Sequence, residues 1–172
     1  MRMAERLFFG LWPGEDQRRA LAAVQRKLDL PRGRLAHPED IHLTLVFLGP
    51  ASADQRQCAE AAAGRVKRAP FELNLDRLGS FPRARVIWCG TEAVAPSLAA
   101  LVEDLRLELG GCGFQLDQRP FKAHATLVRK APPLPSRPLE PPIPWPVAEF
   151  VLAFGQEGPP PRYRILRRWP LG

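Results

Sequence analysis

At 172 residues, with 45% hydrophobic and 25% charged content, the chain fits one domain, or two small lobes sharing a core. No apolar run approaches the 18 residues a membrane-spanning helix needs. Arg and Glu within the first six positions leave no signal-peptide pattern, so a cytoplasmic protein with no membrane partner is expected. Twenty-five Lys+Arg against 18 Asp+Glu give a net charge of +7. Most of these bases are Arg, whose planar fork pairs with phosphate, so a nucleic acid or other polyanion suits the balance, as does plain Arg-rich bias. Cys58, Cys89 and Cys112 form no CxxC pair and leave an odd count. They read as reduced packing residues, and no zinc-ligand spacing joins them to the three His.

In chain order, Arg6 to Trp12 is apolar and aromatic, stopped by Pro13-Gly14, and predicts a first strand. Glu15 to Leu28 has Leu21, Val24 and Leu28 at helical spacing with acids in the first turn. A loop with Pro31, Gly33 and Pro38 leads to a strand over Ile41 to Leu48. Ser52-Ala53-Asp54-Gln55 is a capping box opening a helix to about Val66, with Cys58, Ala62 and Val66 inward. Phe71, Leu73 and Leu75 alternate with polar residues as in a half-buried strand. Gly79 to Pro82 then turns the chain into another strand, Arg85 to Thr91. Pro96 and Gly110-Gly111 punctuate a helix carrying Leu98, Leu101, Val102, Leu105 and Leu109. A strand is expected around Phe114 to Asp117, and another from Phe121 to Val128. Residues 131–146 carry a proline at every second position on average and read as an extended surface connection within the domain. Strands over Val147 to Phe154 and Tyr163 to Trp169 close the chain.

Two of these strands hold the same motif. His42-Leu43-Thr44-Leu45 and His124-Ala125-Thr126-Leu127 are both His-x-Thr-Leu, and they use two of the three His and two of the three Thr in the chain. Residues i and i+2 of a strand share a face, so each motif presents an imidazole beside a hydroxyl. A lone His beside branched apolar neighbours is ordinarily structural; a duplicated one is a catalytic pair. His37, in a Pro-Glu-Asp turn, has no such partner. Imidazole titrates near neutrality, so one ring can take a proton while the other gives one, and the hydroxyls can hold phosphate oxygens. The echo at a spacing of 82 predicts an α+β fold of two pseudo-symmetric lobes. Each lobe has an antiparallel sheet flanked by helices and contributes one His-x-Thr strand to a central cleft.

The sequence resembles the 2H phosphoesterase superfamily, in particular the RNA 2′,3′-cyclic phosphodiesterases also called 2′-5′ RNA ligases. Arg6 to Phe9, Ile41 to Gly49, Arg85 to Trp88, Phe121 to Arg129 and Tyr163 to Leu171 all fall where that family's runs fall. The resemblance implies one bilobal domain over 1–172. It implies hydrolysis of RNA 2′,3′-cyclic phosphate ends, on tRNA halves or oligonucleotides, to 2′-phosphomonoesters, with His124 as base and His42 as acid. Thr44 and Thr126 would bind phosphate; no cofactor, ATP or metal is required, and a monomer is expected. Run backwards with an RNA 5′-OH, the same site would form a 2′-5′ linkage. Phe47 and Arg129 stand five residues after each His and are expected to bind substrate by stacking on a base. The odd offset turns both away from the His face of a regular strand, and only a bulge or the strand end would re-aim them. Arg85 and Lys122 are further anion-contact candidates; Phe8, Phe9 and Trp88 read as core. The family often carries Ser in the penultimate strand, where this chain has Ala153-Phe154-Gly155-Gln156, so the family's contribution from that strand is not carried over, while the two His-x-Thr pairs stand. Two other readings fit the motifs: a non-catalytic RNA- or nucleotide-binding module, and a phosphodiesterase for small cyclic or 2′-5′ nucleotides.

Overall fold

The computed structural model describes residues 6–172. Within them nine strands and three helices follow in the order β1 (Arg6–Leu11), α1 (Glu15–Lys27), β2 (Arg34–Leu35), β3 (Leu43–Pro50), α2 (Ala53–Gly64), β4 (Phe71–Phe81), β5 (Val86–Gly90), α3 (Pro96–Glu108), β6 (His124–Arg129), β7 (Arg137–Val147), β8 (Glu149–Gly155) and β9 (Tyr163–Pro170). All pairings are antiparallel, in the order β7-β4-β5-β6-β3-β1-β8-β9, with β2 alongside β6. The two halves of that order, β7-β4-β5-β6 and β3-β1-β8-β9, are the two expected lobes. Their motif strands are the inner ones, and they touch at a single register pair, Leu43 with Ala125. Beyond it the strands part, and the parting is the cleft.

The helices follow from local chemistry. Acidic Glu15 and Asp16 sit at the N-terminal end of α1, with Arg26 and Lys27 in its last turn, each favourable to the helix dipole. The capping box of α2 is formed in both directions between Ser52 and Gln55. Leu98, Leu101 and Leu105 of α3 and Leu21 of α1 are fully buried in one apolar core with Phe9, Phe150 and Trp145. Phe8, alternating with Phe9 on β1, instead joins a smaller cluster with Val151 and Ala153, packed by Trp12, Tyr163 and Ile165.

Several expectations are corrected. The proline-rich stretch is more than a connection, because 137–147 forms β7, an edge strand paired with β4. Pro142, Pro144 and Pro146 are exposed while Ile143, Trp145 and Val147 are buried. Prolines at alternate positions put their missing donors on one side, which an edge strand tolerates. β4 runs through Gly79 to Phe81 instead of turning there; a Cβ on Gly79 would lie 2.6 Å from the Trp88 ring, so glycine is what lets the β4–β5 pair close. Phe114–Asp117 forms no strand: Phe114 and Leu116 pack on the core from a loop, and Asp117 binds Arg119. Cys58 and Cys112 are disulfide-bonded, joining α2 to the turn after α3 across 54 positions, and Cys89 alone is a free, buried thiol. Burial pushes that thiol up to about 12, which keeps it protonated.

Candidate active site

The first motif is built from β1, β3 and the 3-10 turn Pro38–Asp40. The His42 ring is stacked by Trp12 (centroids 4.7 Å, 12° between planes) and Phe8 (4.8 Å), with Tyr163 edge-on at 4.7 Å. Its Nδ1–H donates to the Asp40 carbonyl at 2.7 Å. A carbonyl can only accept, so the proton is on Nδ1, and Nε2 is left to accept from the Thr44 hydroxyl at 3.1 Å. The second motif repeats the device. His124 Nδ1–H donates to the Lys122 carbonyl at 2.9 Å, and the ring sits edge-on to Phe81 at 4.9 Å. In each case the carbonyl belongs to the residue two before the His. The tautomer is therefore set by the backbone just ahead of each strand, and each Nε2 is the nitrogen left for chemistry.

Burial lowers both imidazoles. His42 is driven from 6.5 to about 4, chiefly by loss of water and secondarily by the Arg129 charge, against the opposing pull of Asp40. His124 is also lowered, by burial first and by the charge of Lys122. At neutral pH both rings are thus neutral.

The motif strands are not regular. Gly10 pairs with Thr44 and Phe9 with Val46, so Leu45 is an extra residue in β3. Trp88 pairs with Thr126 and Ile87 with Val128, so Leu127 is the extra residue in β6. Each bulge falls three residues after its His. It buries two successive side chains, Leu45-Val46 and Leu127-Val128, and returns Phe47 and Arg129 to the His face. Both line the same cleft of about 620 Å³ as His42, Thr44, His124 and Thr126. Phe47, 53% exposed, is an unusually open aromatic. In β6 the bulge is held by a buried amide: Gln25 donates to the Leu127 carbonyl at 2.8 Å and to the Ala36 carbonyl at 3.0 Å, while Ala36 N–H also donates to Leu127.

Other expected residues fall elsewhere. Arg85 lies in the β4–β5 turn outside the cleft wall, and Lys122 contributes its carbonyl while its ammonium stands 5.7 Å over Phe81. Phe8 is buried as expected, yet it stacks on His42 in the wall. Trp88 edges His124 at 6.4 Å, and Phe9 is core. Nothing from Ala153 to Gln156 lines the cleft.

Sequence reasoning missed Tyr163, Asp40, Arg6, Arg34 and Arg162, and it set aside His37, which also borders the cleft. Asp40 is buried, and its carboxylate accepts from Arg162 N–H and Tyr163 N–H at 2.9–3.1 Å, tying the start of β9 to the first motif. Tyr163 in turn accepts from Arg129 at 3.3 Å, bridging the lobes. An Asp two before a His was the only signal of this in the sequence. The arginines divide sharply. Eight of them pair with carboxylates, and none of those lines the cleft. The guanidinium groups of the four that do, Arg6, Arg34, Arg129 and Arg162, pair with no carboxylate among the described residues. The surplus charge is therefore free where the imidazoles are, which suits a phosphate ligand. Among the described residues no three His, Cys, Asp or Glu side chains gather as a metal site would require.

A two-lobed antiparallel fold with one imidazole and one hydroxyl from each inner strand, in an arginine-lined cleft, defines a 2H phosphoesterase. Residues 11–88 match the model of the LigT like Phosphoesterase family. The chain is 33% identical to the RNA 2′,3′-cyclic phosphodiesterase of Escherichia coli K12 over 175 residues, 97% of each chain. It is 34% identical over 185 residues to the Thermus thermophilus protein of the same name, covering 96% of this chain and 90% of that one. The crystal structure of Escherichia coli LigT with 3′-AMP superposes with a TM-score of 0.90 at 32% identity, over 98% and 99% of the two chains. The chain belongs to the LigT-like phosphoesterases. The second motif lies beyond the matched 11–88, but within the span shared with the two relatives.

Proposed function

We propose that the chain hydrolyses RNA 2′,3′-cyclic phosphate ends, the activity its relatives are named for, and that its products are 2′-phosphomonoesters. The observation that carries this is the repeated imidazole geometry: two Nδ1–H groups anchored on carbonyls, leaving two Nε2 atoms for one arginine-lined cleft. His124 Nε2 takes a proton from water as its oxygen attacks phosphorus. His42 gives a proton to O3′ as the P–O3′ bond breaks, and the phosphate stays on O2′. Thr44 and Thr126 hold non-bridging oxygens, and Phe47 and Arg129 contact the terminal base.

The environments support that division of labour. An imidazole half-buried among three aromatic rings is a strong acid once protonated, and the incoming phosphodiester anion supplies the charge that lets His42 take up a proton. His124, less enclosed, is neutral and ready as a base. By microscopic reversibility an RNA 5′-OH in the place of water gives a 2′-5′ linkage, with water competing. In this reading the protein acts as a monomer in the cytoplasm. Separately, no helix among the described residues is long and apolar enough to cross a membrane.

The test is hydrolysis of a short RNA with a 2′,3′-cyclic phosphate, in EDTA, with the product assigned. The expected product is a 2′-phosphate, abolished in His42→Ala and in His124→Ala. A 3′-phosphate product, or full activity in either variant, would overturn the mechanism.

A further inference from the structure

Two non-glycine residues among those described have a left-handed backbone: Arg85 at φ 59° and Lys130 at φ 53°. Such positions ordinarily fall to Gly or Asn, and a long basic side chain held there is uncommon. The two are also neighbours. Arg85 closes the β4–β5 turn by donating its N–H to the Pro82 carbonyl, and its own carbonyl accepts the N–H of Ala131, the residue after Lys130. Both border the cleft without lying in it: Ala84 and Val86, on either side of Arg85, line it, as does Arg129 beside Lys130.

At this same end Arg34 pairs in register with Arg129, and Arg83 stands exposed in the turn. None of these five bases shares an ion pair with a carboxylate among the described residues, whereas eight arginines elsewhere do. Leu35, next to Arg34, is 52% exposed in the cleft wall and offers an apolar surface to a base. An unpaired basic rim running outward from the reacting centre, with apolar surface beside it, is the footprint of a single-stranded nucleic acid.

We propose that the Arg83–Arg85–Lys130 rim is a strand-binding subsite. It grips backbone phosphates of the nucleotides preceding the cyclic end, and so selects RNA oligonucleotides over cyclic mononucleotides. This rests on the reading of the cleft as an RNA 2′,3′-cyclic phosphodiesterase site. A mononucleotide has one phosphate, which sits between the imidazoles, and leaves the rim empty. An oligonucleotide adds phosphates that can reach it.

The experiment compares the wild-type chain with the double variant Arg85→Gly/Lys130→Gly, in which glycine suits the left-handed backbone while both charges go. Substrates are a cyclic mononucleotide and a hexanucleotide ending in the same cyclic phosphate. Salt-dependent binding of a labelled hexanucleotide with a 2′-phosphate end is followed by anisotropy. The variant is expected to keep mononucleotide kinetics and to raise KM for the hexanucleotide about tenfold at 0.1 M salt, with kcat unchanged. Its binding slope against log salt should fall by about 1.4, or ~0.7 per lost phosphate contact on a single strand. An unchanged slope would overturn the rim whatever the turnover. If the wild-type chain opens neither cyclic phosphate, the reading of the cleft fails, and the anisotropy slope alone supports or overturns the rim as a nucleic-acid surface.

Discussion

Burying His42 has a thermodynamic cost that should be visible far from any substrate. In the unfolded chain this imidazole protonates near 6.5; in the aromatic stack of Phe8, Trp12 and Tyr163 it protonates only near 4. Between those values the unfolded state binds a proton that the native state refuses, so stability falls as pH drops below 6.5 and levels off below 4. Linkage puts the loss attributable to His42 at about 2 kcal/mol on going from pH 7.5 to 5.0, and about 3 kcal/mol by pH 4. His124 and the carboxylates add their own pH dependence, so the comparison is with His42→Phe, which keeps a flat ring in the stack but cannot titrate. The variant loses the bonds to Asp40 and Thr44, a roughly constant offset that cancels when each protein is compared with itself. Urea unfolding at pH 7.5 and 5.0, with m-values shown to match, gives the two differences. The wild-type chain should lose about 2 kcal/mol more than His42→Phe. Parallel losses, within about 0.5 kcal/mol, would refute the claim that the ring is held neutral by its burial.

Two further perturbations test the scaffold. Gly90 pairs with His124, and a Cβ there would lie 2.1 Å from the Ala123 carbonyl and 3.1 Å from the His124 Cα. Backbone cannot yield as a side chain can, so Gly90→Ala is expected to cost about 3 kcal/mol and to lower kcat about 100-fold by displacing the base; wild-type activity and stability would show that β6 is not held so tightly. The Cys58–Cys112 bond closes a loop of 54 positions, which by chain entropy stabilises the oxidised protein by about 4 kcal/mol. Unfolded without reductant it should titrate one thiol, Cys89, and with reductant it should unfold at distinctly lower urea. Three thiols without reductant would contradict the bridge.

What was legible from sequence is what period and punctuation carry. The two motifs stood out because i, i+2 spacing fixes a face, and the capping box and terminal glycines bounded α2 and α3. Phe47 and Arg129 could not be aimed, because a bulge adds one residue to a strand without changing its composition. The residue that braces the second bulge, Gln25, is a polar group on a helix that reads as surface until its amide is seen on the Leu127 carbonyl. Prolines in β7 masked an edge strand because alternation of burial, not propensity, defines it there. Arg6, Arg34 and Arg162 were indistinguishable from the arginines that pair with carboxylates, since pairing depends on which elements meet. The disulfide was hidden for the same reason: 54 positions of separation say nothing about contact.

The central claim, that His42 is the acid and His124 the base, is tested most directly by relieving the need for an acid. A 2′,3′-cyclic substrate with sulfur in place of O3′ expels a thiolate, which departs without a proton. Turnover of this substrate should be restored close to wild-type rates in His42→Ala and remain abolished in His124→Ala. Restoration in His124→Ala instead would reverse the two roles, and restoration in neither would contradict acid catalysis by either imidazole.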